Sequence, residues 1–330
     1  MERMLSGIKP TGKLTLGNYI GAIKNFVRYQ DDYEMYVFIA NLHAITINID
    51  PQELRENTRD VAALYLACGL DPEKTVIFNQ SEVMEQVYLG YVLTCNSYMG
   101  ELNRMTQFKD KTSKVKNESI PTGLFIYPTL MAADIVIYDP KYVPVGDDQK
   151  QHVELARDIT NRFNNKYGKT FTVPEPLLAK QGARIKSLTD PSKKMSKSEI
   201  DGDKGCIYLL DDLKTARKKI MGAVTDSENK VRYDVENKPG ISNLMTIYSC
   251  LTGKDLKEIE KEFLDGGYGN FKRAVADVVC ATLEDIQTKY HDIIDSGKLD
   301  EVLTKGAMKA REIASKKMKE IEEKIGFDRC

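Results

Sequence analysis

The chain has 330 residues, of which 42% are apolar and 29% charged, and its formal net charge is -1. That length can bury the core of one large or two moderate domains. With 48 basic against 49 acidic residues a globally basic nucleic-acid coat is excluded, so any RNA contact must come from local clusters of Lys and Arg.

The opening MERMLSGIKPTG lacks the apolar run of a signal peptide, and no later stretch approaches the ~20 apolar residues of a membrane helix, which predicts a cytoplasmic protein with no membrane partner. The six cysteines form no CxxC pair and the three histidines have no ligand spacing, so reduced thiols are expected and no structural metal.

In chain order, short apolar runs alternate with amphipathic segments: strand 4–8 and helix 16–29, strand 35–40 and helix 51–70, strand 75–79 and helix 85–99. This pattern predicts βα units on a parallel sheet. The second helix is the best punctuated, with Asp50 as N-cap, Pro51 at the first position, Glu53 at capping-box spacing and Gly69 at the stop. Pro128 is expected to open a further helix, followed by a strand at 141–145, a helix at 149–167 and a strand at 184–188. Beyond Leu210 helical periodicity takes over, and Ala310, Ile313, Ala314, Met318, Ile321 and Ile325 mark one apolar stripe. The expected fold is α/β: a Rossmann-like, parallel-sheet nucleotide-binding domain over 1–210, with a helical insertion around 80–140, followed by a smaller all-helical domain over 211–330.

Four segments carry chemistry. The first βα junction, SGIKPTGKLTLGNYIGA, brings Gly17 and Asn18 to a helix start, where free N–H groups attract anions. It has neither the G-x-G-x-x-G spacing nor a G-K-[ST], and such a turn can also serve tight packing alone. In SLTDPSKKMSKSE, Lys193, Lys194 and Lys197 can converge on a polyanion such as a triphosphate, with Ser196 and Ser198 adding hydroxyls; the alternative is a solvated loop. Along YPTLMAADIVIY, helical spacing places Tyr127, Leu130, Met131, Asp134 and Tyr138 on one face, apolar except for Asp134. A buried carboxylate there needs a donor, and an indole N–H with Met131 against its ring would suit; otherwise Asp134 pairs with a lysine at the margin. GDDQ, 146–149, lies at the carboxyl end of a predicted strand, where open α/β sheets hold ligands, or it caps the next helix.

The junction and the lysine loop together resemble the two signatures of class I aminoacyl-tRNA synthetases: Thr15-Leu16-Gly17-Asn18 is similar to the HIGH-type motif, and residues 194–198 match KMSKS in all five positions. Thr15 and Asn18 replace the two histidines of the full form. GELNRMTQFKDK, YPTLMAADIVIY, VPVGDDQKQH, AVTDSE and KPGISNL resemble the tryptophan-activating branch specifically, so the likeness spans nearly the whole chain.

The resemblance implies ATP-dependent activation of L-tryptophan and its transfer to tryptophan tRNA, with Mg²⁺ accompanying ATP and a homodimer as the assembly. It implies catalytic roles for Lys194, Lys197, Lys111 and Asn18, and ATP contacts from Lys9, Pro10, Thr11, Gly17, Asn18, Gly146, Asp147, Asp148, Ile185, Lys194, Met195, Ser196, Lys197 and Ser198. Tryptophan contacts fall to Asp134, Met131, Tyr127, Gln149, His43, Leu5, Val143 and Val145; no protein-bound metal is implied. Leu5 stands where relatives often have Phe, and Lys9 where they often have Gln. The rivals are a tyrosine-activating enzyme of the same class and a catalytically idle RNA-binding paralogue. In the helical region Lys214, Arg217, Lys218 and Lys219 are the expected tRNA contacts.

Overall fold

A computed structural model describes residues 1–112, 120–178, 184–196 and 204–329. Five parallel strands, β1 (Arg3–Ile8), β2 (Glu34–Ile39), β3 (Thr75–Asn79), β4 (Tyr142–Val145) and β5 (Glu175–Leu178), form one sheet in the order β3-β2-β1-β4-β5. Strand order reverses direction beside β1, and the crevice between the carboxyl ends of β1 and β4 is where such sheets bind ligands.

Around the sheet run α1 (Leu16–Asn18), α2 (Lys24–Tyr29), α3 (Asn41–Ala44), α4 (Pro51–Ala67), α5 (Met84–Thr94), α6 (Met99–Asn103), α7 (Thr106–Thr112), α8 (Thr122–Val136) and α9 (Lys150–Tyr167). The π-helical turn Tyr19–Ile23 joins α1 to α2. Asp50 caps α4 as expected, its Oδ1 accepting the N–H groups of Gln52 (2.8 Å) and Glu53 (3.1 Å), and Gly69 follows with φ +106°.

Three expected elements differ. The strand expected at 184–188 is absent from the sheet; that segment forms an antiparallel bridge with the lysine loop, between Lys186 and Lys194. The fifth strand is instead β5, whose sequence EPLL carries a proline that the edge of a sheet can accommodate. Pro128 lies inside α8, and the proline preceding that helix is Pro121, its N-cap. The proline leaves one backbone hydrogen bond unmade, and the helix is buried mainly beyond it, at Thr129, Ala132, Ala133, Ile135 and Val136.

The rest of the chain is helical: α10 (Leu213–Met221), α11 (Pro239–Thr252), α12 (Leu256–Glu262), α13 (Gly267–Ser296) and α14 (Lys298–Ile325). The apolar stripe of α14 exists, but it faces the sheet. Ala310, Ala314, Met318 and Ile321 share a core with Phe78, Tyr36 and Phe163, and Gly306 lies so close to β3 that a Cβ would stand 1.7 Å from the carbonyl oxygen of Ile77. Among the described residues no helix is long and apolar enough to cross a membrane.

Candidate active site

A cavity of about 380 Å³ opens at the strand reversal. Its floor is Leu5, Ser6 and Gly7 of β1 with Val143, Pro144 and Val145 of β4, continuing into Gly146 and Gln149. One wall is α8, which contributes Tyr127, Met131 and Asp134. Of the expected helix face, these three reach the cavity. Leu130 turns instead toward Gly90 of α5, and Tyr138 stacks on Tyr36 with ring centroids 5.0 Å apart. Gly7 is required by closeness: a Cβ there would lie 2.9 Å from the carbonyl oxygen of Phe38, whose side chain also lines the cavity.

Asp134 is fully buried and already satisfied by protein donors. Its Oδ1 accepts from Gln80 Nε2 (2.9 Å) and Gln86 Nε2 (3.0 Å), and its Oδ2 from Gln80 Nε2 (2.8 Å) and His43 Nε2 (2.7 Å). Among the described residues no lysine pairs with it, and the donors are amides and an imidazole. Gln80 and Gln86 escaped the sequence reading; uncharged Gln residues bordering and inside an apolar helix were the available signal.

A second chain of bonds crosses the cavity mouth. Tyr127 Oη donates to Gln107 Oε1 (3.2 Å) and lies 2.7 Å from His152 Nε2, so His152 is the donor of that contact; Gln107 Nε2 in turn donates to the carbonyl oxygen of Asp148 (3.2 Å). Burial, then the nearby Lys111 charge, pushes the His152 pKa down to about 4, which keeps the ring neutral at neutral pH. His152 and Gln107 were not among the expected site residues.

The mouth is cationic. Lys9 and Lys111 both line it. Burial, and secondarily the charge of Lys111, lowers the Lys9 pKa to about 8, while burial lowers that of Lys111, whose Nζ sits 5.3 Å from the centre of the Tyr127 ring. Two partly desolvated ammonium groups side by side are poised for a polyanion. Thr11 joins the lining, whereas Pro10, Gly17, Asn18, Asp147, Asp148, Ile185, Lys194, Met195 and Ser196 lie outside it.

Several of those outlying residues nevertheless contact one another. Thr15 caps α1: Asn18 N–H donates to its Oγ1 (3.1 Å) while Asn18 Oδ1 accepts from the Thr15 N–H (3.0 Å) and hydroxyl (3.1 Å), leaving the Asn18 NH₂ as its donor end. A Cβ on Gly17 would touch Ile185 and Met195 at 3.6 Å, so the glycine turn and the lysine loop are packed together. Met195 is a core residue, and Lys194 Nζ reaches Asp148 Oδ1 at 3.9 Å. Lys197 and Ser198 lie outside the described residues.

A family model described as "tRNA synthetases class I (W and Y)" matches residues 1–284. The chain belongs to this family. Across its length this class I synthetase is 55% identical to a tryptophan–tRNA ligase of Malacoplasma penetrans, covering 99% of this chain and 98% of the relative. It superposes on the tryptophanyl-tRNA synthetase of Mycoplasma pneumoniae with a TM-score of 0.90 at 37% identity, over 99% of this chain and 98% of the other. Against the Campylobacter jejuni tryptophanyl-tRNA synthetase, solved with ADP and tryptophan, the TM-score is 0.84 at 40% identity, over 98% and 99%. The expected α/β fold is therefore the fold of the synthetase family.

One expected surface of this synthetase needs correction. Lys219 is buried, its side chain 6% exposed, and donates to Asp211 Oδ2 at 2.7 Å beneath the Tyr208 ring. Arg217 is paired with Asp277 at 2.6 Å. Helix periodicity turned Lys219 inward beside Ile220, leaving Lys214 and Lys218 as the exposed lysines of the four.

Proposed function

We propose that the chain activates L-tryptophan with ATP to tryptophanyl-adenylate and pyrophosphate, then transfers tryptophan to the 3′ end of its tRNA. The observation that carries this reading is the 55% identity, end to end, with a tryptophan–tRNA ligase. The cavity supports it: a buried carboxylate beneath an apolar slot at one end, two lysines at the other.

In this reading the indole lies against Met131 between Leu5, Val143 and Val145, with its N–H directed at Asp134, whose geometry is fixed by Gln80, Gln86 and His43. Tyr127 and Gln149 hold the polar end of the amino acid. Gly146, Asp147 and Asp148 face the ribose of ATP, and Lys9, Pro10, Thr11, Gly17, Asn18 and Ile185 surround its phosphates with Met195, Ser196 and Ser198. The tryptophan carboxylate attacks the α-phosphorus in line and pyrophosphate departs toward Lys111, Lys194 and Lys197, so catalysis comes from positioning and charge stabilisation. Among the described residues no group of three or more His, Cys, Asp or Glu side chains could hold a metal ion. Mg²⁺ would accompany ATP on its phosphates, neutralising their charge, as this ion commonly does.

The homodimer expected from the resemblance would form on the face of α5 and α6 where Met84, Tyr91, Tyr98 and Met99 are all more than 60% exposed. Sedimentation of Tyr91→Asp, which places a charge in that patch, should shift a dimer to monomer; a monomeric wild type would refute the surface. A cytoplasmic location goes with translation as the process served.

Amino-acid-dependent ATP–pyrophosphate exchange across all twenty amino acids tests the reading. Exchange with tryptophan alone is expected, exchange with tyrosine would make it the sister activity, and none at all would leave an RNA-binding paralogue.

A further inference from the structure

The lysine loop is held by a side chain from the helical region. Lys186 and Lys194 face each other in an antiparallel bridge whose hydrogen bonds lie on either side of them, Ser187 N–H to Lys193 O (3.0 Å) and Met195 N–H to Ile185 O (3.0 Å). In such a non-hydrogen-bonded pair the N–H and C=O of each residue point away from the partner. Those of Lys186 meet Asn243 of α11: its Oδ1 accepts the Lys186 N–H at 2.8 Å and its Nδ2 donates to the Lys186 carbonyl at 2.9 Å. The carboxamide thus supplies both bonds that a third strand would have supplied.

Asn243 is 6% exposed and cannot drift. Its helix is seated by Gly240, where a Cβ would fall 2.0 Å from the carbonyl oxygen of Val224, and by Lys238, 2% exposed, whose Nζ contacts Asp226 Oδ1 (3.0 Å), Glu228 Oε2 (2.5 Å) and Tyr268 Oη (2.8 Å). The same segment returns to the loop, since Val224 N–H donates to Leu188 O at 2.8 Å. A rigid element with an ionic cluster behind it therefore sets the height of the peptide directly opposite Lys194.

We infer that Asn243 is a positioning residue for the activation step, acting through the backbone of Lys186 on Lys194. The inference rests on the proposed leaving-group role of Lys194. A loop that is only tethered by packing would wander by fractions of an ångström, and misplacement by about 1 Å can cost 10²-fold in rate. Asn243 touches no substrate in this arrangement, so tryptophan binding should not depend on it.

The test is a double-mutant cycle in tryptophan-dependent pyrophosphate exchange with Lys194→Ala and Asn243→Ala in the full chain. Asn243→Ala should lower kcat about 10- to 100-fold, with the tryptophan Kd unchanged by fluorescence; the chain contains no Trp, so the bound amino acid is its own reporter. In the Lys194→Ala background the same substitution should cost less than about 2-fold, because the group it positions is gone. If Lys194→Ala leaves kcat unaltered, the leaving-group reading fails. If Lys194→Ala is costly while the two losses multiply, or if Asn243→Ala leaves kcat at the wild-type value, the positioning role is overturned. Should Asn243→Ala unfold below the assay temperature, Asn243→Asp takes its place in the cycle: it keeps the acceptor for the Lys186 N–H and loses the donor to its carbonyl, with the same outcomes deciding.

Discussion

His43 Nε2 stands 2.7 Å from Asp134 Oδ2, tying the segment after β2 to the last turn of α8 across the back of the cavity. Together with Gln80 and Gln86 it makes Asp134 a structural centre as well as a candidate recognition group. Asp134→Ala would strand buried amide and imidazole donors, each costing ~1 to 3 kcal/mol, so the protein should lose about 3 kcal/mol or more of stability, measurable by denaturant unfolding.

Asp134→Asn, which nearly preserves shape, is the fairer probe of recognition. It should lower kcat/KM for tryptophan by roughly 1.5 to 3 kcal/mol, while an analogue whose ring lacks the N–H loses much less. Equal losses for both substrates would show that Asp134 serves the pocket wall without reading the indole.

The depressed pKa of Lys9, about 8 against a usual 10.5, sets a pH signature. Below pH 8 the ammonium is charged in the free protein and ATP affinity should be flat. Between about 8 and 10.5 the free protein has lost that proton while phosphate contact favours its return, so ATP binding should take up a proton and weaken as pH rises. For folding the sign follows from the same depression. The unfolded chain binds more protons than the native one across this window, so the Lys9 contribution to stability rises with pH. Lys9→Met should remove the pH dependence of ATP binding; titration calorimetry in buffers of different ionisation enthalpy would measure the proton.

Gly306→Ala tests the seat of the last helix. With a Cβ forced to 1.7 Å from the Ile77 carbonyl, α14 must back away from β3, at a cost of about 3 kcal/mol or more. Gly269→Ala in α13, where nothing lies within 4 Å, should instead stabilise by ~0.5 to 1 kcal/mol through a stiffer unfolded chain. Thermal melts of the pair separate the two effects.

For tRNA, the exposed Lys214 and Lys218 are the residues to reverse. Lys214→Glu with Lys218→Glu should weaken tRNA binding and reduce its salt slope by about 2, with pyrophosphate exchange intact. Lys219→Glu should register as lost stability, since it places a like charge against Asp211. Unchanged tRNA affinity in the double variant would locate the RNA surface elsewhere.

By itself the sequence determined what is local. Apolar periodicity sets β1 to β4 and the long helices, because burial of one face needs only the side chains of that element; Asp50, Pro51 and Gly69 punctuate α4 for reasons contained within a few residues. The motif residues Gly17, Tyr127, Met131, Asp134 and Lys194 were visible because their spacing is chemical. What only the tertiary structure decided is what depends on a neighbour distant in the chain. The edge strand β5 is held by β4 despite its proline, and the stripe of α14 looks the same whether it covers other helices or, as here, the sheet. Whether Lys219 serves RNA or Asp211 is a matter of which way its helix lies. Gln80 and Gln86 carry no pattern of their own, and the motif segments that hold His152 and Asn243 do not say what either side chain touches. Their roles arise because a buried carboxylate, a tyrosine hydroxyl and an unpaired peptide must each find a partner, and folding selects which residue stands within 3 Å or so.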